Sequence, residues 1–236
     1  MPPSRLAGSS RVACLEEFYV LLLQLQSATG LRRLRDCNGR MNWPARGVYF
    51  FLDDQEQRSD SNDVPRVVRV GTHALTTTSR TTLWNRLSQH RGSERSPGGN
   101  HRGSIFRLLV GEALVTRDGI DCATWGRGNN APREVRQSER PIEAQVSSYI
   151  GGLPFLWLTI DDPPGPNSLR GHIERNAIAL LSNRQRTALD APGAGWLGSH
   201  SSRSKVQESG LWNQNHVDED FDPGFLDTMR TLVQRR

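Results

Sequence analysis

Hydrophobic and polar positions in this chain of 236 residues follow two different periods. Around position 50 the period is two. Gly47-Val48-Tyr49-Phe50-Phe51-Leu52 alternates its side chains, so Val48, Phe50 and Leu52 share one face and Tyr49 and Phe51 the other. Arg66 to Gly71 is a second such run, with Arg69 flanked by valines. The polar, acidic stretch from Asp53 to Pro65 reads as a long mobile loop between two strands. Ser104 to Val110 reads as a further strand. Pro154 to Ile160 is almost wholly apolar, the mark of a central strand buried on both faces. Elsewhere the period is helical. Helices are predicted at about 13–27, over Leu83–Arg91 with Thr81 or Thr82 as cap and Gly92 as stop, and over Pro141–Ile150. Another starts at Asn167 or Ser168, with Leu169, Ile173, Ala177 and Leu180 on one stripe, and a last one carries Phe225, Met229 and Val233. Residues 1–12 read as disordered, and Arg117 to Arg140 as irregular. The elements predict an α+β fold: a small, mostly antiparallel sheet of three to four strands flanked by helices, with an N-terminal helix and a C-terminal extension.

No apolar run reaches membrane-spanning length, and no signal-peptide pattern is present. Three cysteines, Cys14, Cys37 and Cys122, form no CxxC pair, which fits a reduced, cytoplasmic protein. The net charge of +5 matters through its placement. Lys205 is the only lysine among 30 basic residues. Between Arg80 and Arg107, six arginines face one acid, Glu94. Arginine presents a planar fork that suits phosphate oxygens, and a basic stripe marks a nucleic-acid surface. Arg80, Arg91, Arg95, His101, Arg102 and Arg107, with Asn183 further on, are therefore the expected nucleic-acid contacts. The Gly- and Arg-rich stretch from Ser93 to Gly103 is positioned to close over a phosphate backbone. Near the C-terminus, Asn213 and Asn215 have the carboxamides that read adenine edges. His216-x-Asp218 offers two metal-ligand types with no third at a suitable spacing.

Chemistry gathers in one part of the chain. Gly47-Val48-Tyr49 lies on the first strand and Arg69-Val70-Gly71 ends the second. Arg86 and His90 stand four apart on the helix that follows. Glu174 projects from an otherwise apolar helical face, where a carboxylate is costly without compensation. In order and spacing these residues resemble the GIY-YIG nuclease family, over roughly residues 46 to 184. One position departs: Arg69 stands where the family has its second tyrosine. The resemblance implies an arm and helix at 1–45, a nuclease domain at 46–184 and an extension at 185–236. It implies a metal-dependent DNA endonuclease, of restriction or defence type. Tyr49 would be the general base or proton relay, His90 would accept or pass on its proton, and Arg86 would neutralise phosphate charge. Glu174 would hold Mg²⁺ (or Mn²⁺), and Arg69 would touch the scissile phosphate or assist Tyr49. His73 and Asn183 are secondary candidates. Two other readings stay open: a DNA-binding module that has lost turnover, and a repair nuclease specific for DNA structure. Cutting both strands with one site calls for two events or a homodimer.

Overall fold

A computed structural model describes residues 10–59, 61–93 and 98–235, with the backbone alone over 61–63. Helix α1 (Arg11–Thr29) is followed by the two-residue strand β1 (Arg32–Arg33) and the long hairpin β2 (Gly47–Arg58) and β3 (Ser61–Gly71). Then come α2 (Leu83–Arg91), α3 (Ile105–Asp118), α4 (Arg133–Ser138), α5 (Arg140–Gly152) and β4 (Pro154–Thr159). Helices α6 (Leu169–Leu181), α7 (Ser204–Ser209) and α8 (Gly224–Gln234) complete the chain. The sheet has the order β1-β4-β2-β3, and every pairing is antiparallel. This is the α+β architecture that the sequence predicts, and β4 is internal, as its unbroken apolar run requires.

The alternation in β2 loads both faces of the sheet. Val48, Phe50 and Leu52 join α1, α6 and α8 in one core, while Tyr49 and Phe51 join α2, α3 and α5 in a second. The N-terminal helix and the C-terminal α8 thus share a single core with the central strands. Helix α1 begins at Arg11, capped by the Ser10 hydroxyl, so residues 11 and 12 are ordered where the sequence suggests a disordered arm.

Two elements differ from expectation. Ser104 to Val110 is the start of α3, not a strand. Ile105-Phe106 and Leu109-Val110 suit a strand by composition, but the Ser104 hydroxyl accepts the Arg107 N–H as an N-cap and Gly119 ends the helix in the left-handed region, φ 63°. The predicted loop Asp53 to Pro65 is mostly strand. Its charges pair with one another and with distant segments: Arg66 with Glu56 at 3.0 Å, Arg58 with Asp190 at 3.3 Å, and Tyr149 donating to Asp53 at 3.1 Å. Pairing lets Asp53, Glu56 and Arg58 be buried on the inward side of the ribbon, where unpaired charge would not be tolerated. Within 117–140, which reads as irregular, α4 adds one short helix.

Candidate active site

The hairpin sets the site. Tyr49 pairs with Gly71 across β2 and β3, Phe50 with Val70, and Phe51 with Arg69, but Leu52 pairs with Val67. Val68 is therefore an extra residue, a β-bulge that shifts the alternation of β3. Cross-strand partners share a face, so the bulge turns Arg69 onto the face of Phe51 and Tyr49. Both motif glycines have steric causes. A Cβ on Gly71 would stand 2.3 Å from the Tyr49 hydroxyl oxygen, and one on Gly47 would stand 2.5 Å from the Leu158 carbonyl oxygen. The phenol lies across Gly71 because nothing projects there.

Helix α2 brings the imidazole. Thr82 and Asn85 form a reciprocal capping box at its start. Leu83, Leu87 and His90 form the buried stripe. His90 Nε2 is 2.8 Å from Tyr49 Oη, and its Nδ1 is 2.8 Å from Ser104 Oγ. Tyr49 and His90 are both 0% exposed. Burial holds His90 well below its ordinary value, and Arg86, Arg69 and Arg107 push it further down, so the ring is neutral at physiological pH. Arg86 stands at the half-exposed rim and donates to Gln89.

Arg69 is the shared neighbour. It hydrogen-bonds the Trp212 carbonyl, lies 5.0 Å over the Phe106 ring, and interacts with Tyr49, Arg86 and Glu174. Burial lowers its guanidinium from the ordinary value; Tyr49 and Glu174 oppose that and Arg86 adds to it. Glu174 reaches the same place from α6, which Ser168 caps. Its Oε1 accepts the Thr72 N–H at 2.9 Å, next to Gly71. Burial raises the Glu174 carboxyl, against the lowering effect of Arg69, the Thr72 N–H, His216 and Arg86. Among the described residues Glu174 has no ion pair, and it lines a cleft of about 970 Å³ with His172 and His216. A half-buried, unpaired carboxylate facing open space fits a hard cation that keeps most of its waters and shares phosphate oxygens. No cluster of three or more metal-ligand side chains exists among the described residues, so Glu174 is the protein ligand such an ion would have.

Tyr49 and Glu174 thus meet the Gly71–Thr72 backbone, His90 bonds the phenol, and Arg69 and Arg86 act on the group electrostatically. The expected nucleic-acid contacts do not form such a group. Arg107 is fully buried, donates to Glu143 and to the His90 carbonyl, and so fixes the end of α2. His101 stacks on Trp125 at 3.9 Å and is held by Glu143. Arg102 is paired with Glu139 at 2.6 Å. Asn183 is buried in its own loop, donating to the Asp190 carbonyl and accepting the Leu189 N–H. These four carry out internal work instead of presenting donors to phosphate. Arg80 is exposed, Arg91 is half-exposed with a hydrogen bond to the Cys37 carbonyl, and Arg95 lies outside the described residues. His73 donates from Nδ1 to the Thr81 carbonyl, and its buried Nε2 has no hydrogen-bond partner among the described residues. Asn213 is not available to a base, because its carboxamide bonds both the N–H and the C=O of Val70. Asp218 pairs with Arg184 and Lys205, and His216 with Glu219, so neither is a bare ligand.

Sequence reasoning missed Ser104 and Glu143. Ser104 was hidden by the strand-like run it precedes. Glu143 sits beside Ile142 on the apolar stripe of α5, the same sign of a compensated buried carboxylate that marks Glu174.

A small antiparallel sheet with a glycine on each of two paired strands, a tyrosine lying between them, and an arginine–histidine helix next in the chain defines a class of nucleases. The chain matches the sequence model of the GIY-YIG domain over residues 9–236, and it belongs to that family. The match takes in both flanks, beyond the 46–184 expected from the motifs alone. Comparison with curated proteins and with solved structures found no match.

Proposed function

We propose that the protein is a divalent-metal-dependent endonuclease that hydrolyses phosphodiester bonds of DNA. The observation that carries this reading is the 2.8 Å contact of Tyr49 with His90, with Arg69 linked electrostatically to Tyr49, Arg86 and Glu174, and Glu174 bonded to Thr72 just past β3. A water oxygen attacks phosphorus as the bond to the departing sugar oxygen breaks. Tyr49 takes the water's proton and hands its own to His90 Nε2; the Nδ1–H tautomer, donating to Ser104, leaves that nitrogen free to receive it. Buried imidazolium is costly beside three guanidinium groups, so the proton stays there only briefly. Arg86, at the rim, meets the charge that develops on the phosphate oxygens. Arg69 faces the phenol oxygen from its buried side. Glu174 would hold one Mg²⁺ or Mn²⁺ ion, whose chemistry is to stabilise charge on the departing oxygen. With one such site per chain, a double-strand cut needs two copies or two events. A role in restriction or defence is the setting we favour for this activity.

Supercoiled plasmid incubated with Mg²⁺, with Mn²⁺ or with chelator tests the reading. Relaxation or linearisation is expected with metal only, and Tyr49→Phe is expected to slow it by about 10²- to 10⁴-fold. Uncut plasmid in every condition would overturn it. The full burial of Tyr49 and His90, and Arg69 in place of the second tyrosine, favour a second reading, an inert DNA-binding module. That reading predicts retarded but uncut plasmid. Fragment ends clustering at junctions, not at one sequence, would point to repair.

A further inference from the structure

Helix α2 carries Arg86 and His90 to the site, but its opposite side carries Trp84, Ser88 and Arg91 to a different surface. There the segment from Asn38 to Trp43, which precedes β2, folds against the helix and the sheet. Trp43 stacks on Trp84 with centroids 5.0 Å apart and ring planes 19° apart, and it meets Trp157 of β4 at 5.0 Å. The guanidinium of Arg91 lies 5.3 Å over Trp84 at one end, and that of Arg32 lies 6.0 Å over Trp157 at the other. The three indoles form a ladder with a cation at each end.

Two cavities flank the ladder. One, of about 450 Å³, is lined by Asn38, Gly39, Arg40, Trp84, Ser88 and Arg91. The other, of about 300 Å³, is lined by Arg32, Met41, Asn42, Trp43 and Trp157. Each therefore combines an indole, a carboxamide and an arginine. Gly39 keeps the first one open, since a Cβ there would stand 2.7 Å from Trp84 Nε1. Arg32 and Arg40 are exposed and make no ion pair with any described residue, whereas Arg33, Arg35 and Arg46 on the same segment are paired with Asp54, Asp36 and Asp161. An indole edge or face takes a flat base, a carboxamide bonds base edges, and an unpaired guanidinium takes phosphate. Bases within a duplex are stacked away from such recesses, so the partner with matching chemistry is a strand whose bases are unpaired.

We propose that the Trp84–Trp43–Trp157 ladder, with Arg32 and Arg40 at its rim, docks an unpaired stretch of the DNA strand. Bases enter the two cavities and phosphates lie on the two arginines. This rests on the nuclease reading above, and it assigns that nuclease a substrate with single-stranded character near the cut.

The test uses the full chain in chelator, so that binding is read without cleavage. A labelled oligothymidylate of about ten nucleotides and a hairpin duplex of equal length are titrated against wild type, Arg32→Ala/Arg40→Ala and Trp43→Ala. Wild type is expected to prefer the single strand. The double arginine variant is expected to lose about tenfold in single-strand affinity, with a salt dependence shallower by about 1.4 in log–log slope. Trp43→Ala is expected to lose about five- to 100-fold. If Trp43→Ala fails to fold, the arginine pair, which makes no ion pair with any described residue, decides alone. Unchanged single-strand affinity in the arginine variant, or equal losses for strand and hairpin, would overturn the proposal. Cleavage of plasmid in Mg²⁺ is scored separately. Cutting by wild type with variant-insensitive strand binding sinks only this inference. Strand binding through the ladder with no cutting supports it and sinks the nuclease reading.

Discussion

Glu174 shows what a functional residue does to stability. Burial works against its charge, nearby Arg69 and the Thr72 N–H support it, and no cation forms an ion pair with it among the described residues. A carboxamide at the same place would keep the Thr72 hydrogen bond without the charge. Glu174→Gln is therefore expected to raise the melting temperature at pH 7 while abolishing metal-dependent cleavage, read by calorimetry and by the plasmid assay. A fall in melting temperature would mean that the carboxylate is stabilising as it stands. Two of the buried histidines, His73 and His90, act on the pH dependence. Burial takes His73 down to about 4 and His90 well below its ordinary range. In the unfolded chain both titrate near 6.5. As pH falls below that value the unfolded state takes up protons that the folded state refuses, so stability falls with falling pH. Each histidine contributes a slope of up to about 1.4 kcal/mol per pH unit. For His73 the loss runs from about pH 6.5 to about 4. Glu174 acts in the opposite sense at the acid end, because its raised carboxyl takes up a proton before its unfolded counterpart does. Urea unfolding between pH 7.5 and 5 is expected to show a falling midpoint, and His73→Asn, which can still donate to Thr81, is expected to flatten the curve.

At the scale of elements, the hairpin is a device for placing one phenol. The β-bulge at Val68 turns Arg69 to the Tyr49 face, and Gly71 leaves the space the ring occupies. Gly71→Ala is expected to displace the ring, costing about 1–3 kcal/mol as an overpacked site and nearly all cleavage. Equal activity in a folded Gly71→Ala protein would remove Tyr49 from the chemistry. Much of this was legible in the sequence, because local periodicity encodes it: the alternation of β2, the internal β4, and the capped α2 and α6; the candidate site residues came through the resemblance to the family. What was not legible depended on partners far away in the chain. Arg102, Arg107 and His101 read as part of a basic nucleic-acid stripe because Glu139 and Glu143, which neutralise them, lie 36 to 42 residues on. The acidic hairpin tip read as a loop because its ion pairs with Arg66 and Asp190 have no local signature. The bulge is a matter of register, which no single strand declares.

The C-terminal region shares a core with the sheet and α1, and it reaches into the site. Strand β3 is the sheet's edge, and an edge left open is a liability. The segment after α7 closes it: Trp212 N–H donates to the Val68 carbonyl at 2.7 Å, and the Asn213 carboxamide bonds Val70 N–H at 3.2 Å and its C=O at 2.9 Å. Side chain thus stands in for a neighbouring strand where Arg69 must be held, with the Trp212 carbonyl accepting from that guanidinium. Beyond it, Phe225, Leu226 and Met229 of α8 are fully buried against α1 and the sheet. A fragment ending at residue 184 would expose that core and strip Arg69 of its acceptor, so it is expected to be insoluble or unfolded by circular dichroism. A cooperative transition in the fragment would show the C-terminal region to be dispensable to the fold. The finer test leaves the core intact. Asn213→Ala removes one carboxamide and leaves the two Val70 groups buried without partners, at about 1–3 kcal/mol each. The folded fraction at 25 °C should stay near complete, while the edge of β3 loosens beside Arg69 and Gly71. Cleavage is then expected to fall by more than the folded fraction does. Loss of stability with full specific activity would confine the C-terminal segment to structural support.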